Sequence, residues 1–370
     1  MKQISVMMKP ASAMCGLRCR YCFYDELARN RNQSSCGIMD EECADRLIQT
    51  LAEGTRAGDQ LTLAFQGGEP MLAGLAWFRA FVAKVNAQCL GRQISYALQT
   101  NGMALDERWR VFLRENSFLV GLSLDLPRAC HDRQRVDAAG KGTYARVVEQ
   151  LRLLQRDGVA VNVLSTLTEE TARHPQQVWK TLCDLGIQYI QFTPCLDSLQ
   201  EASHGYALSP ERFASFYGQL FERWTTARAQ GKRISIKLFD DLVYYLAHGI
   251  PAACGLGGRC QAQLVVESDG SIYPCDFYCL DQYRIGHVDD RLDVLHDASL
   301  QVSFKQHSLP DACWACSYAR FCGGGCQRMR REVYCGGMDC GMKRFLDQCG
   351  DALAELAMWE RRYTAYQRNK

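Results

Sequence analysis

The sequence predicts an α/β protein, with a parallel sheet over its first two thirds and a cysteine-rich segment behind it. Three observations carry this. Apolar strand-like runs alternate with amphipathic helical stretches six times by about residue 200, the pattern of a parallel sheet. Five of those runs end in a turn loaded with glycine, amide, acid or thiol, as in folds whose site is built at the carboxyl ends of the strands. From Cys254 onward the composition shifts to loops and thiols.

The first strand is "ISVMM", and the loop "SAMCGLRCRYCFYDE" follows it with Cys15, Cys19 and Cys22 close together. Met39, Cys43, Leu47, Ile48 and Leu51 then recur at helical spacing. "QLTLAF" ends at Gln66-Gly67-Gly68-Glu69, and Phe78, Phe81, Val82 and Val85 mark the helix behind it. "ISYALQ" ends at Thr100-Asn101, and "FLVGLSLD" brings Ser123 and Asp125 up to Pro127. Val147, Val148, Leu151 and Leu154 form a helix that stops near Gly158; "VAVNVLSTL" and "IQYIQF" complete the six strands, the last ending at Cys195-Leu196-Asp197. Residues 205 to 250 read as two helices around the short strand "RISIK". "VVESDGSIYPC" reads as a hairpin turning at Asp269-Gly270, and a helix from about Met342 to Gln367 closes the sequence. A boundary near residue 250 divides it into 1–250 and 251–370.

At 370 residues, 47% apolar and 23% charged, the chain is an ordinary globular protein, and a net charge of +2 supplies no field to recruit nucleic acid or an anionic membrane. No run approaches bilayer-spanning length, and "MKQISVMMKP" alternates where a signal peptide would be continuously apolar. The expectation is a cytoplasmic protein with no nucleic-acid or membrane partner. In that compartment 20 cysteines do not read as a disulfide framework. Only seven histidines are present, none beside the tight cysteine clusters, which points to all-thiolate ligation: iron–sulfur clusters or four-cysteine zinc.

Three cysteines at CxxxCxxC arise by chance somewhere in such a chain with a probability of about 0.05, and the CxxCx5CxxxC run of Cys313, Cys316, Cys322 and Cys326 with about 0.003. Cys254, Cys260, Cys275, Cys335, Cys340 and Cys349 frame the second run, enough for two four-thiolate sites, and on spacing alone this half also suits zinc. The opening triplet is different. Three thiolates are one too few for a closed zinc site, but they hold a 4Fe–4S cluster with one iron left for a small chelating molecule.

At these residues the sequence resembles the radical S-adenosylmethionine enzymes, whose CxxxCxxC signature is here Cys15, Cys19 and Cys22. More narrowly it is similar to the anaerobic sulfatase-maturating enzymes, which end in a SPASM-type extension. The resemblance runs nearly end to end, through "KPAS", "CRYCFY", "RNRN", "GIMDEE", "FQGGEPMLAGL", "LQTNG", "FLVGLSLD", "TARH", "QFTPCLD" and "CQAQLVVESDGSIYPCDFY". It implies a partial (β/α)6 TIM-like radical SAM barrel with a C-terminal SPASM domain holding two auxiliary clusters, hence three 4Fe–4S clusters and S-adenosylmethionine. The implied reaction is abstraction of a Cβ hydrogen from a cysteine or serine of a sulfatase peptide by a 5′-deoxyadenosyl radical, giving Cα-formylglycine. The implied partners are a peptide or unfolded sulfatase and a reductant such as flavodoxin or ferredoxin.

The resemblance also implies roles. Tyr21, Gly67, Gly68, Ser123, Arg135 and Leu196 would hold the cofactor, the two glycines by close backbone approach and Arg135 by pairing with a carboxylate. Cys254, Cys260, Cys275 and Cys326 would hold one auxiliary cluster. Cys313, Cys316, Cys322 and a later cysteine would hold the other: Cys340 is expected, with Cys335 and Cys349 as competitors. Asp276 would be the general base, and Tyr24 and Gln66 would line the substrate pocket. Two residues depart from the family pattern, Leu126 where glycine is usual and Cys279 beyond Asp276. Cys36, Cys43, Cys89, Cys130, Cys183 and Cys195 are expected as small core hydrophobes. The rival readings are a SPASM maturase that crosslinks another ribosomal peptide, and a non-enzymatic zinc-ribbon protein or electron carrier.

Overall fold

A computed structural model describes residues 1–199, 205–306, 309–334 and 340–368. In chain order, β1 (Gln3–Met8) leads through the cysteine loop to α1 (Phe23–Arg29) and α2 (Glu41–Gly54). Then come β2 (Gln60–Phe65), α3 (Leu75–Gln88), β3 (Gln93–Thr100), α4 (Glu107–Glu115), β4 (Leu119–Ser123), α5 (Arg128–Gln134), α6 (Tyr144–Arg156), β5 (Val161–Leu167), α7 (Pro175–Asp184) and β6 (Tyr189–Pro194). Next are α8 (Pro210–Ala229), β7 (Ser235–Ile236), α9 (Lys237–His248), β8 (Leu264–Val266), β9 (Ser271–Tyr273), β10 (Gly286–His287) and α10 (Leu292–Gln301). The short α11 (Asp311–Trp314), α12 (Ala319–Cys322) and α13 (Gln327–Met329) precede α14 (Gly341–Arg368).

The chain divides into two compact units, Met1–Leu124 with Asp132–Asn162 and Ala262–Ser303, and Asp125–His131 with Val163–Gln261 and Phe304–Lys370. These units cut across the expected boundary near residue 250, because β8, β9 and β10 belong with the amino-terminal strands. In the first unit the strand order is β10-β9-β8-β1-β2-β3-β4. β1, β2, β3 and β4 run parallel, with Met8 opposite Phe65 and Phe65 opposite Leu98. β8 joins them in parallel at the other edge of β1, in register Val6 with Leu264 and Met8 with Val266. β8 and β9 form the expected hairpin, and Gly270 takes the left-handed turn conformation at φ 84°.

Alternation accounts for the packing. In β1 the residues Ile4, Val6 and Met8 are buried, and in β2 Leu61, Leu63 and Phe65. Phe65 packs against Phe78 and Phe81 of α3 with ring centroids 4.8 and 5.5 Å apart. Helix starts follow the sequence: Asp40 caps α2 at the Cys43 N–H, and Asp106 caps α4 at the Trp109 N–H.

In the second unit β6 pairs in parallel with β5 on one side and β7 on the other. α14 packs on α8 and α9 through Phe345, which stacks on Phe239 at 6.0 Å and meets Phe221 and Tyr217 edge-on. Among the described residues, no helix is long and apolar enough to cross a membrane.

Candidate active site

The cysteine loop leaves β1 at Lys9 and is held from two sides, both in the first unit. On one side the turn after β2 donates to it, Gly68 N–H to the Ser12 carbonyl at 3.0 Å and Glu69 N–H to the Met14 carbonyl at 2.7 Å. The glycine there is required by space: a Cβ on Gly68 would stand 2.2 Å from the Met14 oxygen. Gly67 has φ +120°, which side chains avoid. The glycine pair thus buttresses the thiol loop, a role the sequence reading did not assign. On the other side Arg18 N–H and Arg20 N–H donate to the carbonyls of Val136 and Gln134. The segment carrying Arg135 is thereby bonded to the loop, and the Arg135 guanidinium lies over the Tyr21 ring at 5.5 Å.

Cys15, Cys19 and Cys22 are all half-buried and in no disulfide. Burial pushes the thiols of Cys15 and Cys22 up, while the N–H groups of Leu17 at Cys15, and of Asp25 and Tyr24 at Cys22, pull them down. Asn101 Nδ2 donates to Cys15 Sγ at 3.6 Å. Three accessible thiols with N–H groups already aimed at sulfur fit a thiolate-bound cluster. Glu69 is buried and clamps this end of the sheet, accepting from Thr100 Oγ1, the Asn101 N–H and the Met71 N–H. Burial raises its carboxyl to about 7 against those three donors. Ser123 ends β4 and is buried; Leu196 follows β6 in the second unit, half-buried.

The residues expected at the substrate meet at Asp276. Its Oδ2 accepts from Tyr24 Oη at 2.7 Å and from Gln66 Nε2 at 2.8 Å, and Gln66 Nε2 also donates to Tyr24 Oη at 2.7 Å. Its Oδ1 is buried and accepts no hydrogen bond among the described residues, but stands 3.2 Å from the Lys9 ammonium in an ion pair. Lys9 is 3% exposed and also lies over the Tyr24 ring at 4.8 Å. Burial pulls its ammonium down, yet the fields of Cys279, Asp276 and Glu267 hold it above its usual range. Burial, then Asp276, drives the Tyr24 phenol well above the ordinary value. The result is a carboxylate with one oxygen tied by two donors and the other facing a buried cation.

Lys9 was visible in the sequence only as part of "KPAS", without a role. Position in the fold explains it: the Lys9 N–H continues the β1 ladder to the Val266 carbonyl, so the chain carries the lysine inward among the strands. Cys279 sits there too, 1% exposed, its thiol donating to the Cys275 carbonyl at 3.6 Å and pushed up to about 12 by burial. Arg31, of "RNRN", makes a buried ion pair with Glu267 at the end of β8. Of the cysteines expected in the core, Cys89, Cys130 and Cys195 are buried; Cys36 and Cys43 are only half-buried and Cys183 is exposed. Those three depart from the expectation because they lie on helix or loop faces turned from the core. Leu126 is buried in the second unit.

In the second unit the C-terminal thiols form two groups. Cys313, Cys316, Cys322 and Cys340 line one hollow with Tyr334 and Leu346. Burial pushes Cys322 up to about 12, and the fields of Cys340, Cys313 and Cys316 add to it. Cys254, Cys260 and Cys326 form the other, burial and mutual fields raising Cys260 and Cys326. Cys275 belongs to the first unit. Cys349 is buried on α14 near Glu222, outside the lining of the first hollow; Cys335 lies outside the described residues. Among those residues, no three His, Cys, Asp or Glu side chains gather around a single-ion position.

Comparison with known proteins agrees with this arrangement. Residues 10–181 match the radical SAM superfamily, and residues 254–317 match an iron–sulfur cluster-binding domain. The cysteine-type anaerobic sulfatase-maturating enzyme of Clostridium perfringens is 40% identical over 341 residues, 89% of this chain and 90% of that one. The serine-type enzyme of Klebsiella pneumoniae is 31% identical over 325 residues, 87% of this chain and 81% of that one. The solved structure "Native anSMEcpe with bound AdoMet" superposes with a TM-score of 0.87 at 35% identity, over 96% of this chain and 99% of that one. A second, described as holding AdoMet and the Kp18Cys peptide, has a TM-score of 0.87 at 34% identity, with the same coverage. A half-buried carboxylate bonded to the helix behind a thiol loop, a second thiol-rich segment and this degree of likeness lead to one assignment: the chain is a radical SAM oxidoreductase that belongs to the anaerobic sulfatase-maturating enzymes.

Proposed function

We propose that this chain oxidises a cysteine or serine side chain in a sulfatase peptide, presented unfolded in the cytoplasm, to Cα-formylglycine. The observation that carries the reading is Asp276: a half-buried carboxylate held at Oδ2 by Tyr24 and Gln66, with an Oδ1 that accepts no hydrogen bond among the described residues and is ion-paired to Lys9. In this reading residues 1–250 form the radical core and 251–370 the cluster-bearing segment. Cys15, Cys19 and Cys22 would hold the first of three 4Fe–4S clusters. Cys254, Cys260, Cys275 and Cys326 would hold the second, and Cys313, Cys316, Cys322 and Cys340 the third; the shared hollow favours Cys340 as the last ligand. Tyr21, Gly67, Gly68, Ser123, Arg135 and Leu196 would bind S-adenosylmethionine. When bound and reduced, that cofactor supplies a hydrogen-abstracting 5′-deoxyadenosyl radical.

The protein's own part is to position and to take a proton. Tyr24 and Gln66 fix the carboxylate plane of Asp276 through Oδ2. Oδ1 would receive the substrate's thiol or hydroxyl proton as its carbon–heteroatom double bond forms, the electron released with it passing to the clusters that the C-terminal thiols would hold. With cysteine, water then replaces the sulfur as sulfide to leave the aldehyde. Lys9, itself buried, supplies the counter-charge that favours the ionised form of the half-buried carboxylate. A ferredoxin- or flavodoxin-like donor would deliver the electrons.

The test is an anaerobic assay with dithionite and a "CxPxR" peptide in cysteine and serine versions. Asp276→Asn is expected to keep 5′-deoxyadenosine formation while aldehyde, trapped with a hydrazine and read by mass spectrometry, falls about a hundredfold. Undiminished aldehyde would remove Asp276 from the mechanism. A peptide that loses two hydrogens in a crosslink would instead place the chain among ribosomal-peptide maturases.

A further inference from the structure

Cys322, Tyr334 and Met342 line both C-terminal hollows, and of these Tyr334 brings a hydroxyl. Tyr334 ends the π-helical turn Arg330–Tyr334, a geometry that recurs at functional sites. It lines the hollow of Cys313, Cys316, Cys322 and Cys340, and it also lines the larger cleft bordered by Cys254 and Cys326. Its ring lies directly over Gly325: a Cβ built there would stand 2.4 Å from ring Cδ2 and 2.5 Å from Cε2. Only glycine in front of Cys326 lets the ring come this close to that cysteine's backbone. Phe213 meets the ring edge-on at 5.5 Å and restrains it.

Tyr334 is half-buried, and its hydroxyl makes no hydrogen bond to another described residue. Tyr217, by contrast, spends its hydroxyl on the Phe192 carbonyl. A phenol carries its proton at neutral pH, so Tyr334 is a donor. A phenol in the lining of a thiol-rich hollow, with no hydrogen bond to another described residue, is suited to sulfur that carries charge.

We propose that Tyr334 tunes the thiolate site around Cys326 by donating its phenol hydrogen bond to a sulfur of that site. This rests on the three-cluster reading above. A hydrogen bond to sulfur disperses its negative charge and favours the reduced form, so the phenol makes this site easier to reduce.

The experiment is a redox titration followed by electron paramagnetic resonance, on anaerobically reconstituted wild type and Tyr334→Phe, which keeps the ring. The expected result is unchanged iron per chain and a shift of one auxiliary midpoint to lower potential, the other midpoints staying in place. The shift should persist when Cys313 and Cys316 are both alanine. Unchanged midpoints overturn the proposal, as does loss of iron in Tyr334→Phe, which would make the phenol structural. A shift that vanishes in the Cys313→Ala/Cys316→Ala background assigns the phenol to the other site and overturns it equally. Failure of the three-cluster reading is distinguishable, because it shows in the wild type alone as missing auxiliary signals.

Discussion

At Asp276 the two carboxylate oxygens do different work because their neighbours differ. Oδ2 is occupied by Tyr24 and Gln66, and Oδ1 is left to Lys9 and to whatever enters the site. Removing the cation while keeping its length, in Lys9→Met, leaves a half-buried carboxylate without counter-charge. Aldehyde formation is expected to fall about a hundredfold, with 5′-deoxyadenosine formation in the absence of peptide unchanged. Loss of both in parallel would mean that Lys9 only supports the thiol loop. The sequence showed Asp276, Tyr24 and Gln66 as a set through resemblance, but Lys9 carried no visible signal. A lysine just past an apolar strand reads as a solvent-exposed end. It is buried because β8 covers that end of β1, a pairing no local pattern encodes.

At the scale of elements, the turn after β2 and the thiol loop are a single device. Gly68 meets the backbone of Ala13 and Met14 closely enough that a methyl group cannot fit, and its N–H bonds to Ser12. Gly68→Ala is therefore expected to displace the loop, and on the three-cluster reading proposed above reconstituted protein should lose about four of about twelve irons. The C-terminal thiol groups, built on other elements, should keep theirs. Retention of all the iron, with normal cleavage of S-adenosylmethionine, would contradict this. The strands themselves were legible: "QLTLAF" is β2 to the residue, and the closing helix differs from its expected ends by one residue at each. α1 was not foreseen, since seven residues directly behind three thiols show too little apolar period to register.

For the molecule as a whole, the second unit depends on α14. Phe345 is fully buried and touches Phe239, Phe221 and Tyr217, so Phe345→Ala should cost about 3–5 kcal/mol of that unit's stability, measurable by urea unfolding. Neighbouring Leu346 and Met342 wall the hollow of Cys340, so iron at that site should become labile in the same variant. A stability loss under about 1 kcal/mol would show that α8 and α9 hold together without it.

Period and spacing were sufficient for the parallel strands, the helix that ends the chain and the grouping of thiols, because each is written within a few residues of itself. The working site was not local. Tyr24 and Asp276 bond across 252 positions, and they do so because three residues of β8 pair beside β1 and return the late hairpin to the first strands. Hydrogen bonds along a strand edge are alike whichever residues make them, so the choice of partner rests with the packing of the folded chain. That packing brought Lys9 to the carboxylate, set Gly68 against the thiol loop and gathered Cys340 with Cys313, Cys316 and Cys322.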